Sequence, residues 1–407
     1  MKVSVTPPRG MRDLLPSETE LRDASLARIL AIYRSYGFVR IETPAVESLD
    51  RLRGGEGGEN EKLIFKILKR GEALDLAKTP LAEEDLADLG LRFDLTVPLA
   101  RYYANNINDL PKPFKAIQVG PVWRAERPQK GRFRQFTQCD IDIIDVASSI
   151  AELELVMATS DALLALGFEG FSIRINDRRL LTQMAETCGF APDRQESVFI
   201  ALDKLDKIGM AGVRDDLTAQ GHPAAAIDKL IMLLEQPSSI AGEDEVSQSL
   251  KEIVRLLSQE ARGRYQVVFD ATLVRGMGYY TGPIFEVAMP GVSFSLAGGG
   301  RYDRMIGKSL GRDVPACGFS IGFERIIALL QERPNVRQDG QRRLAVLCDP
   351  KQDDLAPLLG LIREARERFG SVSLYAKNKK TGKQVEDLRA QGVETVFSGD
   401  LAKLLNS

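Results

Sequence analysis

Histidine is almost absent from this 407-residue chain: His222 is the only one. It stands in a polar Gln-Gly-His-Pro turn, where a solvated loop residue is expected, so His-centred triads and multi-His metal sites are excluded. Cysteine is scarce too. Cys139, Cys188, Cys317 and Cys348 lie far apart with no CxxC pair, which points away from a zinc site and from a disulfide framework. No apolar run is long enough to span a bilayer and no secretory signal is seen, so a reduced cytoplasmic enzyme with no membrane partner is expected. Charge of one sign is also missing: 55 Lys and Arg face 57 Asp and Glu, and any polyanion must be met by local basic patches. Neither a Walker lysine loop nor a strand-following GxGxxG occurs, so a nucleotide would have to be gripped mainly by arginines on a sheet.

The length suits roughly two to four domains. Ser17 to Glu20 reads as a capping box before a helix with an apolar stripe at Leu21, Leu26, Ile29, Leu30 and Tyr33, stopped by Gly37. Phe38 to Ile41 reads as a strand. Gly54 to Glu61 reads as a mobile loop. A second capping box, Ser149 to Glu152, opens a helix ending at Gly167. Residues 178–262 are helical and charged, in the manner of an insertion into a β-rich domain of residues 1–177 and 263–331. Strand signals return at Tyr265 to Ala271, Ile284 to Ala288 and Ser293 to Leu296. After a polar linker, 332–341, residues 342–407 alternate β-α-β-α-β, the pattern of a small parallel α/β domain.

Four stretches carry chemistry. Pro113 to Asp145 holds two strand-like runs around a loop rich in arginine, and its second run ends in alternating acids. Arginine's planar fork suits phosphate oxygens, so an anion site and a cation site are expected on one hairpin. Leu273 to Glu286 combines Arg275, three glycines and the paired Tyr279 and Tyr280. Ala297 to Asp303 contains three consecutive glycines, a pattern that most often marks a turn. Gly318 to Ile326 passes from a strand through Gly322 into an apolar helix, with Arg325 in its first turn, where the helix dipole already favours anions.

Taken in order, these stretches resemble class II aminoacyl-tRNA synthetases, specifically the histidyl-tRNA synthetase family. Gly10-Met11-Arg12-Asp13-Leu14-Leu15-Pro16 is similar to that family's opening. Residues 113–142 and 318–325 resemble its second and third class motifs, and the helix and strand through Pro44 its first, a dimer element. Leu273 to Glu286 and Ala297 to Asp303 resemble its histidine signatures. The resemblance implies an α+β fold with an antiparallel sheet core, a helical insertion, and a shortened anticodon-binding-like C-terminal domain. It implies activation of L-histidine by ATP, with Mg²⁺ on the phosphates, then transfer to tRNA(His) by a homodimer. By residue, it implies Arg124, Glu126, Arg132, Phe136 and Arg325 for ATP, with Arg124 and Arg275 catalytic. Asp94, Thr96, Arg124, Gln138, Asp142, Arg275, Tyr279 and Tyr280 fall to histidine, and Gln129 to the tRNA acceptor end.

Two departures from the family pattern stand out. Gly278 takes the place of an acid before the paired tyrosines, and the chain stops at Ser407 just after the third strand of its last domain. Lys377, Lys379, Lys380 and Lys383 there could meet RNA phosphates or simply be solvated. Two other functions share the same core. One is a histidine-sensing regulatory subunit of ATP phosphoribosyltransferase, against which Arg275 and the intact Arg124 to Pro128 loop speak. The other is a synthetase paralogue with a non-tRNA acceptor.

Overall fold

The computed structural model describes residues 5–54, 60–74, 76–80, 82–127, 133–235, 242–275, 278–333 and 342–406. Gln129, Arg132, most of the expected loop at Gly54 to Glu61 and most of the linker 332–341 therefore lie outside the described residues. Two compact units, Met1–Glu332 and Arg333–Ser407, divide the chain.

The first unit is built on an eight-stranded sheet. Its spatial order is Val39–Ile41, Phe114–Trp123, Gln135–Ile144, Ala316–Ile321, Ala297–Arg301, Pro283–Ala288, Ser172–Asp177, Gln266–Phe269. The outermost pair at each end is parallel and every pairing between is antiparallel. This is an α+β architecture, and its polarity follows from alternation along the strands. In Gln135–Ile144, Cys139, Ile141 and Ile143 face one way. They pack in a core shared with the helices Pro16–Ser35, Ile150–Ala165, Glu245–Ala261 and Phe323–Glu332. Gln138, Asp140 and Asp142 face the other way. So do Ser320 on Ala316–Ile321, Glu286 on Pro283–Ala288 and Arg174 on Ser172–Asp177, as the register of the pairings requires.

The helices between Arg178 and Ala261 form the connection between the parallel strands Ser172–Asp177 and Gln266–Phe269. Four of them build a second apolar cluster against the polar side of the sheet, where Leu181, Phe199 and Leu230 meet Phe114, Ile144 and Ile284. The last, Glu245–Ala261, instead sends Leu250, Ile253 and Leu257 into the first core. Among the described residues no helix is long and apolar enough to cross a membrane.

Several local expectations need correcting. Neither expected capping box forms. The first helix begins at Pro16, whose fixed φ suits a first helical position, so Ser17 stands inside the first turn and not at the cap. Ser149 makes no capping bond either. Glu152 turns inward instead, buried against Arg301, which donates to it at 2.6 and 2.8 Å. The triple glycine is not a turn. Ala297–Arg301 is a fully buried central strand, while residues 293–296 precede it outside any strand. Glycine is required there because the chains approach so closely. A Cβ on Gly299 would stand 2.0 Å from the Gly318 carbonyl oxygen, and one on Gly298 would stand 2.4 Å from the Arg275 guanidinium.

His222 is not a solvated loop residue either. It follows a turn at Gly221, but its ring is buried, edge-on to Phe190 at 5.3 Å and 2.8 Å from Ser197 Oγ. Ser197 Oγ also lies within hydrogen-bond distance, 2.6 Å, of the Arg194 carbonyl, so the pair is held within the helical region.

The second unit has three parallel strands in the order Ser371–Ala376, Arg343–Cys348, Glu394–Phe397. Leu344, Val346 and Cys348 pack on the helices Leu355–Phe369 and Leu401–Asn406. Ala345 and Leu347 pack on Thr381–Ala390.

Replacing Glu152 by alanine leaves the Arg301 guanidinium buried without its bidentate partner. The expected loss is about 3–5 kcal/mol of stability, less for glutamine, and thermal or urea unfolding checks it.

Candidate functional site

Every predicted site residue among those described lines one cavity of about 470 Å³ on the polar side of the large sheet. Part of the lining is acidic. Asp94, Asp140 and Asp142 are each 5% exposed or less. Asp94 Oδ1 accepts from the Val97 amide at 3.1 Å, at the start of the helix Thr96–Asn106. Asp142 Oδ1 accepts from the Tyr302 hydroxyl. The second oxygens of Asp94 and Asp142, together with Asp140 Oδ1 and Gln138 Oε1, are buried with no hydrogen-bond partner. A buried acceptor without a donor costs about 1–3 kcal/mol. Four such atoms in one cavity describe a site built for a ligand that brings N–H donors or positive charge.

Electrostatics point the same way. Burial, reinforced by the nearby Asp94 charge and opposed by the Tyr302 bond, pushes the Asp142 carboxyl up to about 7. Burial raises Asp94 to about 6 against the Val97 amide and Arg124. Asp140 is raised well above the carboxylate range by burial and then by Asp142. A cation joining these acids favours their ionised forms.

The same lining carries cations. Arg124 leaves the hairpin strand just after Trp123, donates through Nε to the Phe93 carbonyl at 3.1 Å, and lies over the Phe136 ring at 5.0 Å. Arg325, in the first turn of Phe323–Glu332, donates to the Ser295 carbonyl at 2.7 Å and lies 5.4 Å from the Phe294 ring. Arg275 spreads its guanidinium over Gly298 and donates to Glu286 at 2.8 Å. Tyr279 and Tyr280 have ring centroids 4.8 Å apart, and Tyr279 meets Tyr302 edge-on. Among the described residues no cluster of three or more His, Cys, Asp or Glu side chains is placed to hold a metal ion.

Four contributors lie beyond the residues singled out from the pattern. Asp140 belongs to the run Gln138-Cys139-Asp140-Ile141-Asp142, and period-two alternation puts it on the same face as its two neighbours. Tyr302 follows the glycine run, and nothing local marks it as the partner of Asp142. Glu286 holds Arg275. Glu324, beside Arg325, accepts two hydrogen bonds from Arg22 at 2.7 and 2.8 Å and one from the Thr137 amide at 3.1 Å. It thereby joins the first helix, the hairpin and the last helix of the unit. Burial would raise Glu324, but Arg22 outweighs it and holds the carboxyl below its usual range.

The family profile described as histidyl-tRNA synthetase matches residues 10–326. A histidine–tRNA ligase of Leifsonia xyli subsp. xyli is 47% identical over 350 residues, 81% of each chain. One from Aeropyrum pernix is 41% identical over 336 residues, 79% of this chain and 73% of that one. The crystal structure of histidyl-tRNA synthetase from Nostoc sp. PCC 7120 superposes with a TM-score of 0.77 at 28% identity, covering 96% of this chain and 90% of that one.

The raised acids set a pH signature. Folded Asp142 keeps its proton up to about pH 7, whereas the unfolded chain releases it near the ordinary value of 3.8. The folded state therefore binds more protons across that window, and its contribution to stability falls as pH rises. Asp142→Asn does not titrate. Its melting temperature relative to wild type should climb between pH 5 and pH 8, and parallel curves would refute the assignment.

Proposed function

The chain belongs to the histidyl-tRNA synthetase family, and we infer that it activates L-histidine with ATP and transfers the histidyl group to tRNA(His). The observation that carries this reading is the presence, in one cavity, of buried carboxyl oxygens lacking donors together with Arg124, Arg275 and Arg325.

In this reading the ammonium group of histidine meets Asp94 and Thr96, with Gln138 alongside. The imidazole meets Asp142, whose second oxygen accepts an N–H while Tyr302 holds the first. A side chain that cannot donate there leaves a buried carboxylate unpaired, which disfavours it. Arg124 and Arg325 hold the phosphates of ATP. Glu126, Arg132 and the Phe136 ring serve the rest of the nucleotide. Arg275 neutralises charge at the α-phosphorus as the histidine carboxylate attacks and pyrophosphate leaves. The terminal ribose hydroxyl of tRNA then attacks the histidyl carbonyl and AMP departs. Positioning and charge neutralisation carry both steps, with no side-chain nucleophile. Mg²⁺ arrives on the phosphates of ATP, with oxygen ligands of the kind it prefers.

The proposal includes a cytoplasmic homodimer, with Gln129 near the acceptor end of tRNA. It assigns 1–177 and 263–331 to catalysis, 178–262 to a helical insertion, 332–341 to a linker and 342–407 to anticodon contact. In that last unit Lys377 already lies 5.2 Å from the exposed Phe397 ring, a basic and aromatic pairing suited to RNA.

Histidine-dependent ATP–pyrophosphate exchange followed by charging of tRNA tests the whole reading. Exchange without charging would redirect it to another acceptor, and absence of both would sink it. Arg275→Ala should cut adenylate formation by about a hundredfold or more while the protein stays folded by circular dichroism. Asp142→Ala should weaken histidine binding far more than ATP binding in calorimetry, and equal losses would remove Asp142 from the histidine pocket.

A further inference from the structure

We propose that Arg174 is a positioning residue for adenylate formation, holding Arg275 in place from two sides. The proposal rests on the functional reading of Arg275 above.

Arg174 lies outside the cavity, yet in the same row of cross-strand partners. Asp140 pairs with Ser320, Ser320 with Gly298, Gly298 with Glu286, and Glu286 with Arg174. The Arg275 guanidinium fills the gap over Gly298. Glu286 divides its carboxylate between the two arginines. Oε2 accepts from Arg275 at 2.8 Å and Oε1 from Arg174 at 3.2 Å.

The other edge of the Arg174 fork controls the backbone that delivers Arg275. Its Nε donates to Asp270 Oδ2. Asp270 Oδ1 accepts from the Thr272 amide at 2.9 Å and from the Thr272 hydroxyl at 2.6 Å. These bonds fix the turn that leads into Arg275. Arg174 thus ties together the carboxylate that orients the guanidinium and the turn that launches its main chain. Arg174 also donates to Thr272 Oγ1 at 3.4 Å and to Asp206 at 2.9 Å, but the Asp206 side chain is 70% exposed and contributes little.

Charge makes the arrangement necessary. Arg174, Asp270, Glu286 and Arg275 are each 17–24% exposed, so water screens them weakly. Without Arg174, Asp270 would lose its ion-pair partner and Glu286 would be left with Arg275. Glu286 would be released to take a second contact with it, drawing the guanidinium toward the strand and away from the phosphates. Lysine cannot replace the fork, because its single ammonium cannot hold Asp270 and Glu286 in these directions together.

The test uses the full chain in histidine-dependent ATP–pyrophosphate exchange, with active sites counted by the burst of adenylate. In Arg174→Ala, turnover per counted site should fall on the order of tenfold to a hundredfold while KM for histidine stays near wild type. Arg174→Lys should recover only part. The double variant R174A/E286Q should regain turnover over R174A, because a neutral amide no longer captures Arg275. A merely structural role would lower the melting temperature and the number of counted sites but leave turnover per site unchanged, and that result overturns the proposal. If the alanine variant does not fold, R174K and R174K/E286Q carry the same comparison, and wild-type turnover in R174K is then the overturning result. A wild type that catalyses no exchange overturns the functional reading and this proposal together. An active wild type with unaffected variants overturns this one alone.

Discussion

The strand Gln135–Ile144 can occupy only one register, and the rest of the first unit follows from it. Cys139, Ile141 and Ile143 are buried against helices on one side, while Gln138, Asp140 and Asp142 face the cavity on the other. A slip of one residue would drive three polar side chains into a dry core. That register is transmitted by direct pairing to Ser320, then Gly298, then Glu286, then Arg174. Asp140 and the arginine network are consequently parts of one ladder.

The ladder and the row beside it work because positions within them are bare. Gly298 leaves room for the Arg275 guanidinium, and Gly318 leaves room for Asp142, whose Oδ1 would lie 2.0 Å from a Cβ there. Glycine weakens a strand by entropy and loss of packing. Buried carboxyl oxygens without donors weaken the fold further. The first unit therefore carries a destabilised patch at its functional centre, offset by the apolar core behind the sheet and by pairs such as Glu152–Arg301.

Much of this was legible in the amino-acid order. The two apolar runs around the Arg124 to Arg134 loop announced a hairpin, and the alternating acids announced a polar face. The entry of Gly318 to Ile326 from strand to helix was legible for the same reason, since a glycine junction and an apolar stripe are local signals. The glycine run was not. Three glycines read as a turn because composition alone cannot report that Gly299 faces the Gly318 carbonyl from another strand. Glu152 read as half of a capping box because its partner, Arg301, lies far along the chain. His222 read as solvated because its neighbours in sequence are polar, whereas its neighbours in space are Phe190 and Ser197.

By itself the sequence determined which residue types were available: arginines in place of a Walker loop, acids at period two, and a single histidine unfit for a triad. These are properties of spacing and composition, fixed before any folding. Only the tertiary structure decided which of those residues meet. Tyr302 found Asp142, Glu286 found Arg275, and Glu324 found Arg22 through contacts between segments distant in the chain. Such contacts are set by strand order and register, which depend on the packing of the whole sheet and are not encoded in any local window.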